Sequence, residues 1–192
     1  MTSIEIANSR LRKSALQARR SLTDDQRDTA STIICDRIIH SHEFMACKTI
    51  ACYLPLNDEV DPTRIIERAW RAKKRVFAPV TDTRGKMIFR QLAADTDLER
   101  NFFGLWEPVG ATFIPARALD LVVTPLVAFD EKLNRIGMGG GYYDRCFQFL
   151  KHRKQWLHPK LLGVAFDCQQ VAKITSNPWD IPLYQVVTAR NS

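Results

Sequence analysis

Residues 119–145 read LDLVVTPLVAFDEKLNRIGMGGGYYDR. Leu119 to Pro125 is a short apolar run rich in β-branched residues, the pattern of a buried strand. A long loop follows, then Gly137 and the uninterrupted run Gly139, Gly140, Gly141. Tyr142 to Leu150 reads as a helix with Tyr143, Phe147 and Leu150 on one face. Glycines between a strand and a helix let backbone N–H groups approach an anion, and the helix start adds partial positive charge. The run is therefore open to two readings, a phosphate-binding loop or a tight turn. It matches neither common nucleotide signature. No Lys follows the last glycine, and the spacing is G-x-G-G-G rather than G-x-G-x-x-G.

Outward from this centre, the chain alternates strands and helices. Residues 3–20 have many helix formers and few breakers, which predicts a first helix with a thin apolar face. Thr23-Asp24-Asp25-Gln26 is an N-cap with an amide at the third position, opening a second helix to about Ile39. Lys48 to Leu54 reads as a strand. Pro62, taken as the first helical residue, opens a helix over 63–73, and Arg75 to Val80 is a further strand. Strand, helix and strand in succession make a βαβ unit, so part of the sheet is parallel. Further strands are expected at 87–92, 161–166 and 185–189, with a loop over 108–118. The expected fold class is α/β: a single three-layer domain over residues 1–192, with a mixed, mostly parallel sheet flanked by helices.

Composition narrows the function classes. A hydrophobic share of 45% and a charged share of 26% suit an ordinary globular core, and no apolar run approaches the length of a membrane span. The N-terminal stretch lacks the apolar core of a signal peptide, so cytoplasm is the expected address. Five cysteines without a C-x-x-C pair argue against disulfides and zinc, and predict buried free thiols. The net charge of +7 suits an anionic partner, with basic residues clustered at 10–20 and 64–75. No nucleic-acid motif or basic face interleaved with aromatics accompanies that charge, so a small anion is expected rather than nucleic acid.

The wording FDxxxxRxGxGGGYYDR at 129–145, behind a strand ending in TPLVA, closely resembles the 5-formyltetrahydrofolate cyclo-ligase (5,10-methenyltetrahydrofolate synthetase) family. The resemblance runs through most of the chain. It implies an enzyme that closes 5-formyltetrahydrofolate to 5,10-methenyltetrahydrofolate with ATP and Mg2+, releasing ADP and phosphate after phosphorylation of the formyl oxygen. It implies an ATP site at Arg135, Ile136, Gly137, Met138, Gly139, Gly140, Gly141, Tyr142 and Tyr143, completed from the first helix. There Leu11-Arg12 matches the family pair, but Asn8 stands where the family carries Lys, so Arg10 or Lys13 becomes a candidate for the missing charge. It implies folate contacts at Leu54, Glu59, Trp106, Met138 and Tyr142, and magnesium ligands at Asp144 and Asp180. A monomer with no membrane partner is expected.

Several of these residues have plain alternatives. Glu59 reads equally as a solvated loop carboxylate, and Trp106 equally as core. Asp144 reads as a helix cap, and Asp180 as a loop acid beside Ile181-Pro182. A second enzyme class also fits the bare pattern: a sugar-phosphate isomerase or acyl-transfer enzyme using the glycine loop for phosphate. It would need a general base near that loop, for which Glu131 and Lys132 are the candidates.

Overall fold

A computed structural model describes residues 3–56, 58–110, 112–153 and 158–190. Asn57, within the predicted loop after the first strand, lies outside the described residues. Among the described residues eleven strands form: β1 (Thr49–Cys52), β2 (Arg75–Thr81), β3 (Met87–Gln91), β4 (Leu98–Arg100), β5 (Trp106–Pro108), β6 (Phe113–Ile114), β7 (Leu121–Pro125), β8 (Ala128–Phe129), β9 (Arg135–Ile136), β10 (Lys160–Val164) and β11 (Gln185–Val187). The helices are α1 (Ser3–Arg20), α2 (Asp24–Ile39), α3 (His42–Ala46), α4 (Thr63–Arg71) and α5 (Tyr142–Phe147).

Seven strands make one sheet in the order β11-β10-β7-β1-β2-β3-β6. The run from β11 to β2 is parallel, and β3 and β6 add antiparallel pairs at one edge. The chain thus leaves β1 toward the β6 edge, then returns to lay β7 on the other side of β1. The carboxyl ends of β1 and β7 flank the point where the winding reverses, the position where open α/β sheets form their ligand crevice. That topology decides where the site is.

Side-chain alternation builds the layers. Ile50, Cys52, Val76, Ala78, Leu121, Val123, Leu162 and Val164 face one way and pack with Ile34 and Ile38 of α2 and Ile65, Ile66 and Ala69 of α4. Ala51, Phe77, Val122 and Leu161 face the other way and pack with Phe147 of α5. The three-layer expectation is met. α1 uses a smaller cluster, in which Ala15 meets Val127, Ala128 and Ile136.

Local signals hold where a named interaction backs them. Thr23 caps α2 in a reciprocal box with Gln26. Pro62 stands one residue earlier than expected, at the cap, and Asp61 Oδ1 accepts from the Thr63 N–H at 2.9 Å. The helix expected over 142–150 ends at Phe147 and tightens into a 3-10 turn, Gln148–His152. Phe147 packs against both Phe89 and Phe149, with ring centroids 5.8 and 6.1 Å apart. The expected loop over 108–118 holds β6 and a 3-10 turn at Ala116–Ala118. α3 and the β4–β5 hairpin carry too little periodicity to be legible. α3 buries only Phe44, and β4 is exposed throughout.

Gly163 of β10 is closely packed on the sheet. A Cβ there would lie 2.6 Å from Leu183 Cδ1 and 2.9 Å from Leu126 Cδ2. Gly163→Ala is therefore expected to cost about 1–3 kcal/mol by overpacking, which a thermal melt reads as a fall in Tm of roughly 3–10 °C. An unchanged Tm would show that both leucines yield freely.

Candidate active site

A cavity of about 830 Å³ opens at the carboxyl ends of β1 and β7. This lies toward the upper end of ordinary ligand sites. Residues 135–145 form one wall, Leu54 and Glu59 another, and the tip of the β4–β5 hairpin a third.

The glycine wall is carried by the β8–β9 hairpin, which Asp130 ties together. Its carboxylate accepts from the backbone N–H of Lys132, Asn134 and Ile174 and from the Asn134 side chain. Burial alone would raise the Asp130 pKa, but these donors win and hold it below the usual carboxylate range. Beyond the hairpin, Gly139 and Gly141 adopt φ of 106° and 63°, a region closed to most side chains, and Gly141 caps α5. Only six residues of regular helix follow, so the expected helix-end charge comes from a short dipole. Arg12 of α1 donates from Nε to the Gly137 carbonyl at 2.8 Å, fastening the loop from above.

Arg135 is the loop's buried cation, with its side chain 5% exposed. Its Nη2 donates to Asp144 Oδ1 at 2.9 Å, its guanidinium lies 5.5 Å over the Tyr143 ring, and its Nε is buried without a partner. A buried N–H left unpaired costs free energy unless something accepts from it. On a cavity wall beside a glycine loop, a phosphate oxygen is the acceptor that matches. Asn8 Oδ1 is likewise buried and unpaired on the same cavity, while its Nδ2 donates to the Thr175 carbonyl at 3.0 Å. Arg10 and Lys13, by contrast, are exposed and do not line the cavity. They sit on the outward face of α1, so neither replaces the family Lys, and Arg10 drops out of the candidate site. Arg12 is the α1 cation that reaches the loop.

Both candidate metal ligands line the cavity. Asp144 makes its hydrogen bonds through Oδ1, to Arg135 and to the Ile181 N–H at 3.0 Å. Asp180 makes its own through Oδ2, to the N–H and side chain of Asn177. Each thus keeps one oxygen outside those bonds. Among the described residues no group of three or more His, Cys, Asp and Glu side chains could cage a metal ion. Two carboxylate oxygens without a protein cage suit Mg2+, which is held by few side chains, phosphate oxygens and water, and do not suit zinc.

The opposite wall is apolar and aromatic. Glu59 is mostly buried there, and its Oε2 accepts from the Leu56 N–H at 3.1 Å. Burial raises its pKa above the usual Glu value, although the Leu56 N–H and Arg19 pull the other way. Trp106 is 44% exposed on the cavity side, so it is wall rather than core. The Arg100 guanidinium backs its ring at 4.7 Å. Glu107 anchors this hairpin to the sheet, with Oε1 accepting from Thr81 N and Oγ1 and from Asn101 Nδ2. Met138 and Tyr142, of the glycine wall, line the same cavity, and the Tyr142 hydroxyl donates to the Asp82 carbonyl. Glu131 and Lys132 do not line the cavity, so the glycine loop has neither of the general bases that an isomerase reading needs.

Sequence reasoning missed three contributors. Phe103 and Trp179 line the cavity, exposed by 49% and 63%. Both lie in irregular segments where no period marks an aromatic. Arg19 of α1 is fully buried behind Glu59. One signal did exist: Leu11, Ala15 and Arg19 recur every fourth residue, so the arginine sits on the buried stripe.

A crevice at the reversal point of a parallel sheet, with an unpaired buried guanidinium beside a glycine loop and two half-free carboxylates, has the layout of an α/β enzyme with a site suited to an anionic ligand. Comparison with known proteins narrows this class. The 5-formyltetrahydrofolate cyclo-ligase family model matches residues 5–189. The 5-formyltetrahydrofolate cyclo-ligase of Escherichia coli strain K12 is 38% identical over 176 residues, covering 90% of this chain and 94% of that protein. The Haemophilus influenzae protein of the same name is 33% identical over 183 residues, covering 92% and 95%. The solution structure of Aquifex aeolicus 5,10-methenyltetrahydrofolate synthetase superposes with a TM-score of 0.81 at 29% identity, covering 96% of this chain and 90% of that one. The chain belongs to the 5-formyltetrahydrofolate cyclo-ligase family.

Proposed function

We propose that the protein closes 5-formyltetrahydrofolate to 5,10-methenyltetrahydrofolate at the expense of ATP. The observation that carries this reading is the Arg135–Asp144 pair beside the glycine loop, in which one buried guanidinium N–H awaits an acceptor. Family membership supplies the substrate class.

In this reading the γ-phosphoryl group passes to the formyl oxygen, turning a poor leaving group into phosphate. N10 of the folate then attacks the formyl carbon, the carbon–oxygen bond to phosphate breaks, and N10 loses its proton. Phosphoryl transfer asks the protein for position and charge neutralisation more than for covalent help. Backbone N–H groups of residues 137–141 and the cations Arg12 and Arg135 fill that role. Asp144 and Asp180 would hold Mg2+, which supplies charge neutralisation on the phosphates when bound. The folate lies along Leu54, Trp106, Met138 and Tyr142. Glu59, with two acceptor oxygens at a cavity wall, takes hydrogen bonds from the pterin N–H groups. Cysteines that are all free, with Cys35, Cys47 and Cys52 buried, support an address in the reducing cytoplasm. Among the described residues no helix is long and apolar enough to cross a membrane.

The direct experiment adds 5-formyltetrahydrofolate, ATP and Mg2+ to the purified protein and follows the near-ultraviolet absorbance of the methenyl product. A rise that requires all three additions is expected. ATP binding without any rise would give the loop to other phosphate chemistry.

A further inference from the structure

α1 carries a charge for which folding alone gives little reason. Arg19 is 2% exposed and is among the largest fully buried side chains. An apolar residue there would extend the stripe of Leu11 and Ala15, whereas a buried guanidinium must be paired to be tolerated. Its partners are two adjacent carboxylates on the loop that follows β1. Nε and Nη2 donate to Asp58 Oδ2 at 3.3 and 3.0 Å, and Nη1 lies 3.7 Å from Glu59 Oε1. Glu59 in turn lines the cavity.

We infer that Arg19 is a positioning residue for substrate recognition, fixing Glu59 from behind as an ionised acceptor aimed at the cavity. The inference rests on the proposed assignment of Glu59 to the folate. The groups around Glu59 support it. Asp58, on the same loop, opposes ionisation of Glu59. Tyr53, just past β1, is buried, and burial pushes its phenol up, so it stays neutral and adds no second negative charge beside Glu59. Among the described residues Arg19 supplies the positive charge that favours the carboxylate, with the Leu56 N–H helping through its hydrogen bond. The same helix holds the glycine loop through Arg12, seven residues earlier, on the Gly137 carbonyl. α1 is thus a rigid strut whose two arginines meet the two halves of the cavity.

The test compares wild type, Arg19→Met, Glu59→Gln, the double variant and Arg19→Lys, measuring KM for both substrates across pH. Arg19→Met is expected to raise the KM for 5-formyltetrahydrofolate roughly 30-fold, as loss of one partner of a buried charge pair does, with the KM for ATP nearly unchanged. The acid limb of kcat/KM for the folate should move to higher pH. With Glu59→Gln already present, Arg19→Met should add less than about threefold, because neighbours that act through one another are not additive. Arg19→Lys should recover part of the loss, since Lys keeps the charge without the fork.

An equal penalty in both backgrounds, or an unmoved acid limb, would mean that Arg19 merely braces the loop, and would overturn the inference. If Arg19→Met fails to fold, Arg19→Lys carries the same comparison with a smaller factor in the same direction. A wild type that forms no methenyl product sinks the functional reading and this inference together. An active wild type with additive variants sinks this inference alone.

Discussion

Asp144→Asn is expected to cut ATP-dependent turnover roughly 10³-fold while the fold survives. The reason lies in how the two oxygens divide their work. Oδ1 accepts from Arg135 Nη2 at 2.9 Å and from the Ile181 N–H at 3.0 Å, and an amide oxygen can accept both. Oδ2 becomes an NH2 group, which repels a cation instead of holding one. The negative charge also disappears next to Arg135, and with it the balance that leaves the Arg135 Nε free for a phosphate. Asp144→Ala is the blunter variant. It strands a guanidinium that is 5% exposed, and breaking such a pair typically costs about 3–5 kcal/mol. Inactivity in that variant therefore mixes lost metal with lost fold. The measurement is steady-state turnover against Mg2+ concentration, with circular dichroism as the folding control. Near-wild-type turnover by the Asn variant would remove Asp144 from the metal site.

Glu59→Ala is expected to raise the KM for 5-formyltetrahydrofolate roughly 100-fold, about 3 kcal/mol of charge-assisted hydrogen bonding, with ATP affinity almost intact. Glu59→Gln, which keeps an acceptor, should cost less. The pH dependence follows from burial, which holds the Glu59 pKa above 4.5. The carboxylate that accepts from the pterin is fully present only above that raised pKa. Folate affinity should therefore fall on acidification at a higher pH than an exposed Glu would give, and Glu59→Gln should lose this limb. Stability carries the opposite sign. A raised folded-state pKa favours folding below the unfolded value, and that contribution is lost as pH rises through the folded value. At neutral pH the ionised Glu59 is a cost to folding, so Glu59→Gln should be no less stable than wild type. Parallel loss of folate and ATP binding in Glu59→Ala would point to a structural role instead.

The expectations that held share a physical trait: each rests on a signal contained within a few neighbouring residues. Thr23 and Gln26 cap α2 by themselves, and the apolar runs of β2 and β7 are complete within each strand. Those that failed depend on distant partners. Arg10 and Arg12 are equivalent as charges, yet two residues along a helix turn a side chain to a different face, and only Arg12 finds Gly137. The β4–β5 hairpin is a separate case: its turn is local, set by Asn101 Oδ1 accepting from the N–H groups of Phe103 and Leu105. No period announces that pairing.

Residue order alone settles the strand–loop–glycine–helix centre, the α/β class, and, through wording more specific than its glycines, the family. It can do so because backbone freedom at glycine, apolar strand runs and helix capping are local properties. Which charges are buried, and with whom, depends on how distant segments pack. Arg19 meets Glu59 across 40 positions of sequence, and Asp144 meets Ile181 across 37. Those meetings exist because the sheet reverses its winding beside β1, bringing the ends of β1 and β7 together. A buried charge owes its pairing, and hence its chemistry, to that convergence rather than to its neighbours in the chain.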